Sequence, residues 1–292
     1  MNPGRIAELS RRGVVAVSGP DAVTFLDNLF TSDVPAALGG AAYGALLSPQ
    51  GKILFDFIAV NDGNRILIDL PRIQVADFVK RLGFYRLRAK VEIADISDDH
   101  IAVAAWGSDT APILDGVVVA DPRLAALGWR AIVPAGADMA PDYEEATEAE
   151  YDAHRIALGV PEGGIDFAFG DTFPHDADMD QLAGINFTKG CYIGQEVVSR
   201  MEHRGTARRR FVIAASSAPL PATGTPVTAN DKPIGTLGSH TGSAAVALVR
   251  LDRAKEAMDA HTPIIAAGTP LTLTLPPWAK FGWPAPATAS ED

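Results

Sequence analysis

The chain has 292 residues, 47% hydrophobic and 21% charged, the composition of a globular protein of about two domains rather than a disordered or fibrous one. Its 36 acidic residues outnumber 25 basic ones, and the net charge of -11 is opposite in sign to that of a dedicated nucleic-acid binder. No stretch reaches the roughly 18 unbroken apolar residues of a membrane span, residues 1–15 lack the pattern of a secretory leader, and the single cysteine, Cys191, excludes an intrachain disulfide or a four-cysteine site within one chain. The expectation is a cytoplasmic protein with no membrane partner.

Pro20 suits the first position of a helix, and Ala22, Phe25, Leu26 and Leu29 follow it at three- and four-residue spacing. Residues 53–60 read as a strand, apolar on both faces except for Asp56. Residues 65–70 read as its hairpin partner across Asn61-Asp62-Gly63-Asn64. Residues 71–82 predict a second amphipathic helix closed by Gly83. Strands are expected over 91–96, 101–106, 117–120 and 129–133, and a third helix over 148–158, stopped by Gly159 and Pro161. From there to about Thr188 the chain shows little periodicity. Beyond Arg210, short apolar runs at 211–215, 234–237, 244–251 and 271–275 form the pattern of a small antiparallel barrel or sandwich, and the Pro- and Ala-rich tail is expected to fray beyond Trp283. Mixed helices and hairpins of this kind make the fold class α+β.

No glycine-rich phosphate loop, hydrolase elbow or zinc-ligand spacing is present, so no metal site is expected. Asp176, Asp178 and Asp180 imitate the opening of a calcium loop. Gln181 and Phe187 stand where that loop needs Gly and Glu, and the three acids read instead as caps of a turn or helix start. Ten of the 25 cations fall in two short windows. Lys80, Arg81, Arg86, Arg88 and Lys90 form one, and Arg200, Arg204, Arg208, Arg209 and Arg210 form the other. They are either solvated faces or parts of a cationic groove for an anionic ligand.

Residues 189–196 read KGCYIGQE. Gly190 and Gly194 bracket Cys191, which suggests a tight backbone where a ligand or partner approaches. Lys189 and Arg200 would favour the thiolate, and Gln195 and Glu196 supply a donor and acceptors able to read a heterocycle edge. The same residues also suit an inert cysteine in a Gly-rich turn. Asp56, flanked by Leu54 and Ile58, is costly to bury unless paired, or else it faces water from an edge strand.

The segment KGCYIGQE resembles the signature of the YgfZ family, folate-binding proteins that support iron–sulfur enzymes and, in bacteria, tRNA modification. The resemblance extends to Ser18-Gly19-Pro20-Asp21-Ala22, to Thr31-Ser32-Asp33-Val34 (with Ser32 where Asn is usual), to Gly51-Lys52-Ile53-Leu54-Phe55-Asp56, and to residues 151–161 and the barrel portion. It implies a fold shared with the T-protein of the glycine cleavage system, with two interleaved α+β portions over residues 1–205, an antiparallel β-barrel over 206–278 and a tail over 279–292. It further implies tetrahydrofolate or a derivative as cofactor, bound by Asp56, Tyr192, Gln195, Glu196 and Arg200, with Cys191 and Lys189 as the reactive pair. The partners it implies are reduced folate, iron–sulfur assembly or client proteins, and tRNA. The basic windows would then meet a folate glutamate tail, an acidic partner or tRNA. A tetrahydrofolate-dependent aminomethyltransferase is the alternative. Against it, Gly128-Trp129-Arg130 has no acid where the T-protein carries a pterin-holding glutamate. Whether any reaction is turned over stays open.

Overall fold

The structure is a computed structural model that describes residues 3–205 and 207–285. The expected fraying of the tail falls largely outside those residues. The chain divides into two compact units. The first runs to Asp152 and adds Phe169–Pro174 and Leu182–Arg200. The second takes Ala153–Ala168, His175–Gln181 and the chain from Met201 onward.

In chain order the first unit's strands are β1 (Gly4–Glu8), β2 (Arg12–Ser18), β3 (Ala41–Leu47), β4 (Ile53–Asn61), β5 (Arg65–Pro71), β6 (Glu92–Asp95), β7 (His100–Trp106), β8 (Val117–Ala120), β9 (Trp129–Pro134) and β10 (Tyr143–Glu145). Helix α1 (Ala22–Asp27) follows β2, and α2 (Val75–Arg86) follows β5. They form two five-stranded sheets, ordered β10-β1-β7-β9-β8 and β3-β4-β5-β2-β6. The second sheet is wholly antiparallel, whereas β1 and β10 pair in parallel. The chain leaves the first sheet after β1 and returns to it at β7, so the two α+β portions are interleaved as expected.

The second sheet is strongly apolar because β2, β4 and β5 are buried nearly throughout. Phe25 and Leu26 of α1 and Phe78 and Leu82 of α2 pack over it with Val15, Val17 and Phe57. Phe30, Phe57 and Phe78 form an aromatic cluster, the Phe30 and Phe57 ring centroids 4.2 Å apart. Each such ring contributes about 1.5–3 kcal/mol by leaving water. Helix α2 does not stop at Gly83. A lone glycine costs a helix only about 1 kcal/mol, and Phe78 and Leu82 are already packed, so the helix continues to Arg86. Leu87, at φ 40°, ends it.

Helix α3 (Glu148–Ala157) opens on a capping box: Thr147 N donates to Glu150 Oε2 at 2.8 Å and Glu150 N donates to Thr147 Oγ1 at 3.3 Å. Helix α4 spans Gln195–Arg204. The second unit adds β11 (Arg209–Ala215), β12 (Pro226–Ala229), β13 (Lys232–Thr241), β14 (Ala244–Arg250), α5 (Leu251–Asp259), β15 (Ile264–Ala266), β16 (Thr269–Pro270) and β17 (Thr272–Thr274). These strands form a near-closed antiparallel barrel ordered β16-β15-β12-β13-β14-β11-β17. Residues 153–168 fold with the barrel through Arg155, whose guanidinium is buried and donates to Asp166 Oδ2 (2.9 Å) and Ser239 Oγ (3.1 Å).

Candidate functional site

The segments that carried the sequence signal converge in the first unit. Thr31, fully buried between α1 and β3, donates its hydroxyl to the Gly184 carbonyl at 2.6 Å and accepts from Ala45 N at 2.9 Å. Asn186 N donates to the Thr31 carbonyl, and its side-chain amide donates to Asp33 Oδ2 at 2.5 Å. Thr31 thus holds residues 184–186, just ahead of the signature segment, through its hydroxyl and carbonyl, and Ser32 meets the signature itself through its carbonyl.

Lys189 is the centre of this seam. Its side chain is buried, and its ammonium donates to the carbonyls of Asp27 (2.9 Å), Phe30 (3.1 Å) and Ser32 (2.7 Å) and to Asp27 Oδ1 (3.1 Å). Three N–H groups thus serve four acceptors at the C-terminal end of α1, where the helix dipole favours a cation. Gly190 and Cys191 follow. A Cβ at Gly190 would meet nothing within 4 Å, and Cys191 is exposed with no hydrogen-bond partner among the described residues. The chain then dives back: Tyr192 is buried, and desolvation pushes its phenol up to about 12.

Gly194, at φ +81°, closes the loop. A Cβ there would stand 2.6 Å from the Ser48 carbonyl oxygen and 3.1 Å from Gly51 Cα, so the close approach anticipated in the motif is of the chain to itself. Gln195 and Glu196 begin α4, and Glu196 is engaged by Arg200 one turn on at 2.5 Å, both largely in solvent. The turn at 48–51 leads into β4. There Lys52 Nζ donates to the Asp171 carbonyl at 2.5 Å and lies 3.4 Å above the Phe173 ring, while Ile53 N donates to the Thr172 carbonyl.

Asp56 is 6% exposed on β4, a strand enclosed by β3 and β5, which removes the water-facing reading. The Tyr43 hydroxyl donates to Asp56 Oδ2 at 3.2 Å, and burial, then the Asp56 charge, raises the Tyr43 phenol well above its ordinary value. A buried charged network accompanies this pair. Asp69 accepts from Arg12 Nε at 2.6 Å and stands 3.6 Å from Arg130 Nη1. Asp121 is paired with Arg123 at 2.7 Å and with Arg130 at 3.5 Å, and both arginines donate to the Tyr151 hydroxyl. Burial opposes ionisation of Asp121, but Arg123 and Arg130 outweigh it and hold the carboxyl below the usual range. Asp69 Oδ2 and Arg130 Nε and Nη1 have no hydrogen-bond partner among the described residues. Sequence reasoning missed this network. Its signal was one charge inside each of two apolar runs, Asp69 in residues 66–70 and Arg130 in residues 129–133.

In the second unit Arg210 is buried, not a solvent-facing cation of the second basic window. It donates to Asp180 at 2.5 and 2.9 Å, to Asp178 at 3.3 Å and to the His175 carbonyl. Asp178 and Asp180 are therefore its counter-charges rather than caps. Burial, with Asp180 adding to it against Arg210, pushes Asp178 well above the usual carboxylate range. His175, Asp180 and Glu202 bring ligand-type atoms within 4.8 Å of one another, but Arg210 already occupies both Asp180 oxygens.

Residues 3–141 match the GCVT N-terminal domain, and residues 208–281 match the CAF17 C-terminal β-barrel domain. The chain is 34% identical over 226 residues to the "Iron-sulfur cluster assembly factor IBA57 homolog, mitochondrial" of Mycosarcoma maydis, across 71% of this chain and 56% of that protein. The chain thus spans little more than half the length of that relative. It is 29% identical to the mouse and human mitochondrial IBA57 assembly factors, covering 96% and 94% of this chain and 85% and 84% of theirs. The glycine cleavage system aminomethyltransferase T from Bartonella henselae has a similar structure, with TM-score 0.72 over 95% of this chain and 86% of that one at 17% identity, a likeness of fold. The expected T-protein-like fold is borne out, and the expected kinship is met in its coarser form by assembly-factor relatives. The expectation of a cytoplasmic protein is corrected: these relatives are named mitochondrial.

Proposed function

Because the chain joins a GCVT N-terminal domain to a CAF17 C-terminal β-barrel domain, we propose that it is an iron–sulfur cluster assembly factor that acts through Cys191 and binds reduced folate. The observation that carries this reading is the signature loop. Lys189 and Gly194 fix its two ends, and between them Gly190 and Cys191 are exposed, Cys191 carrying the reactive side chain. One thiol cannot hold a cluster unaided, so Cys191 meets a cluster whose other ligands belong to a partner. Lys189 acts by positioning, since its ammonium is spent on three backbone carbonyls and the Asp27 carboxylate. Maintenance of tRNA-modifying enzymes follows in this reading through their clusters.

The residues present fit a reduced folate on chemical grounds. A buried carboxylate such as Asp56 suits the ring N–H donors of a pterin, and Tyr43 orients it. Asp56 would hold the pterin, and Tyr192, Gln195, Glu196 and Arg200 are the further contacts proposed. When bound, the folate would supply one-carbon or redox chemistry at its ring. Asp56 would bind and orient it away from bulk water.

The test is an anaerobic calorimetric titration of the whole protein with tetrahydrofolate, wild type beside Asp56→Asn. Saturable binding that weakens in the variant is expected, and no binding in either removes folate from the reading. In cells lacking the protein, Cys191→Ser should fail to restore cluster-enzyme activity; full rescue would remove the thiol. Glycine-dependent turnover with a lipoyl carrier protein would establish the aminomethyltransferase alternative instead.

A further inference from the structure

The first basic window does not dissolve into the core as Arg210 does. Lys80, Arg81, Arg86, Arg88 and Lys90 are all exposed, and none has an ion-pair partner among the described residues. No acidic residue occurs between Lys80 and Lys90; Asp77, one turn earlier on α2, and Glu92, two residues beyond Lys90, flank the window, and Asp21 Oδ2 accepts from Lys90 N at 2.7 Å at its far end. Large apolar side chains share this surface: Ile73 is 92% exposed, Phe84 66% and Leu87 90%. The inner face of α2, with Val75, Phe78 and Leu82, is already buried, so Lys80, Phe84 and Leu87 form the outward ridge by helical spacing. Leu87 also holds a φ of 40°, a region that leucine adopts at a cost. An exposed side chain gains nothing internal in return for that strain.

We infer that this ridge docks an acidic protein. Exposed phenylalanine and leucine ringed by arginine and lysine have the makeup of an interface centre, and the unpaired cations set the sign of the partner. A compact acidic protein meets only the cationic face, whereas an extended anionic bilayer or a nucleic acid also faces the repulsion of a chain with net charge -11. That the partner handles clusters rests on the proposed function. The docking itself does not depend on Cys191.

The experiment is calorimetric titration of the full chain with an acidic plant-type [2Fe–2S] ferredoxin at low ionic strength. Saturable binding that weakens with added salt is expected. The double reversal Lys80→Glu/Arg81→Glu should weaken it at least about tenfold, and Phe84→Ser should weaken it without changing its salt dependence. Leu87→Gly should reduce binding while raising Tm, which separates a lost contact from a lost fold. Cys191→Ser should bind as wild type does; loss of binding there would move the interface to the signature loop and overturn the inference. No binding, or binding indifferent to the reversal, overturns it too. Residue-dependent binding to phosphatidylcholine vesicles containing an equal part of phosphatidylglycerol, without ferredoxin binding, would assign the ridge to a membrane surface instead.

Discussion

Lys189 Nζ lies 2.7 Å from the carbonyl oxygen of Ser32, and this bond ties the loop that presents Cys191 to the segment leaving the first helix. Lys189→Met keeps the length of the side chain and removes every donor, leaving the carbonyls of Asp27, Phe30 and Ser32 without the ammonium. A loss of about 2–4 kcal/mol in urea unfolding is expected, with faster proteolysis within residues 184–194. Unchanged stability would mean that water replaces the ammonium without cost.

The two glycines of the signature make opposite predictions. Gly190→Ala meets open space and should alter stability by less than about 1 kcal/mol. Gly194→Ala combines a left-handed φ with a Cβ pressed to 2.6 Å from the Ser48 carbonyl. It should cost more than about 2 kcal/mol. Equal Tm values for the two variants would show that the 48–51 turn yields freely.

Glu150 provides a test by pH. The Thr147 backbone N–H, then Arg5 and the Thr147 hydroxyl, lower its carboxyl from 4.5 to about 2. Its folded pKa is below its unfolded one, so its contribution is complete above about 4.5 and is lost as pH falls through about 2. Carboxyl carbon NMR should place the Glu150 midpoint near 2, and Glu150→Gln should flatten the acid limb of stability. A midpoint near 4.5 would mean that the capping box is open in solution.

Arg210→Met leaves Asp178 and Asp180 buried without their guanidinium. A loss of about 3–5 kcal/mol is expected near neutral pH. The deficit should shrink in acid, because Asp178 has a raised pKa, and stability linked to a raised carboxyl is present at low pH and lost as pH rises through that pKa. Adding Asp178→Asn and Asp180→Asn should recover part of the loss in chemical denaturation at neutral pH. No recovery would show that Arg210 acts through its packing against Phe281 instead.

Much of the architecture was legible because it is written in side-chain periodicity and turns. The β4–β5 hairpin announced itself through Asn61-Asp62-Gly63-Asn64 between two apolar runs. Helix α5 did not, because its buried face is built from Leu251, Ala254 and Ala257, and alanines give a weak apolar signal after a strong strand. Lys189 was legible as a residue of interest but not in its role, since backbone carbonyls have no letter in the sequence. Asp56 was found by its isolation on an apolar strand, while the same signal at Asp69 and Arg130 went unread. Gly83 misled because a helix with packed side chains on either side tolerates one glycine.

The bond from Thr31 to Gly184 joins residues 153 apart in the chain, and the first unit is complete only once Leu182–Arg200 has been added to it. During synthesis the Thr31 hydroxyl proton and the acceptors of Lys189 therefore keep water as their partner until the ribosome has released nearly two-thirds of the chain. Closing so long a loop is slow in entropy alone. The cysteine-bearing loop is consequently among the last pieces of its unit to be seated, and a nascent chain cannot display it in its docked form before the rest of that unit is in place.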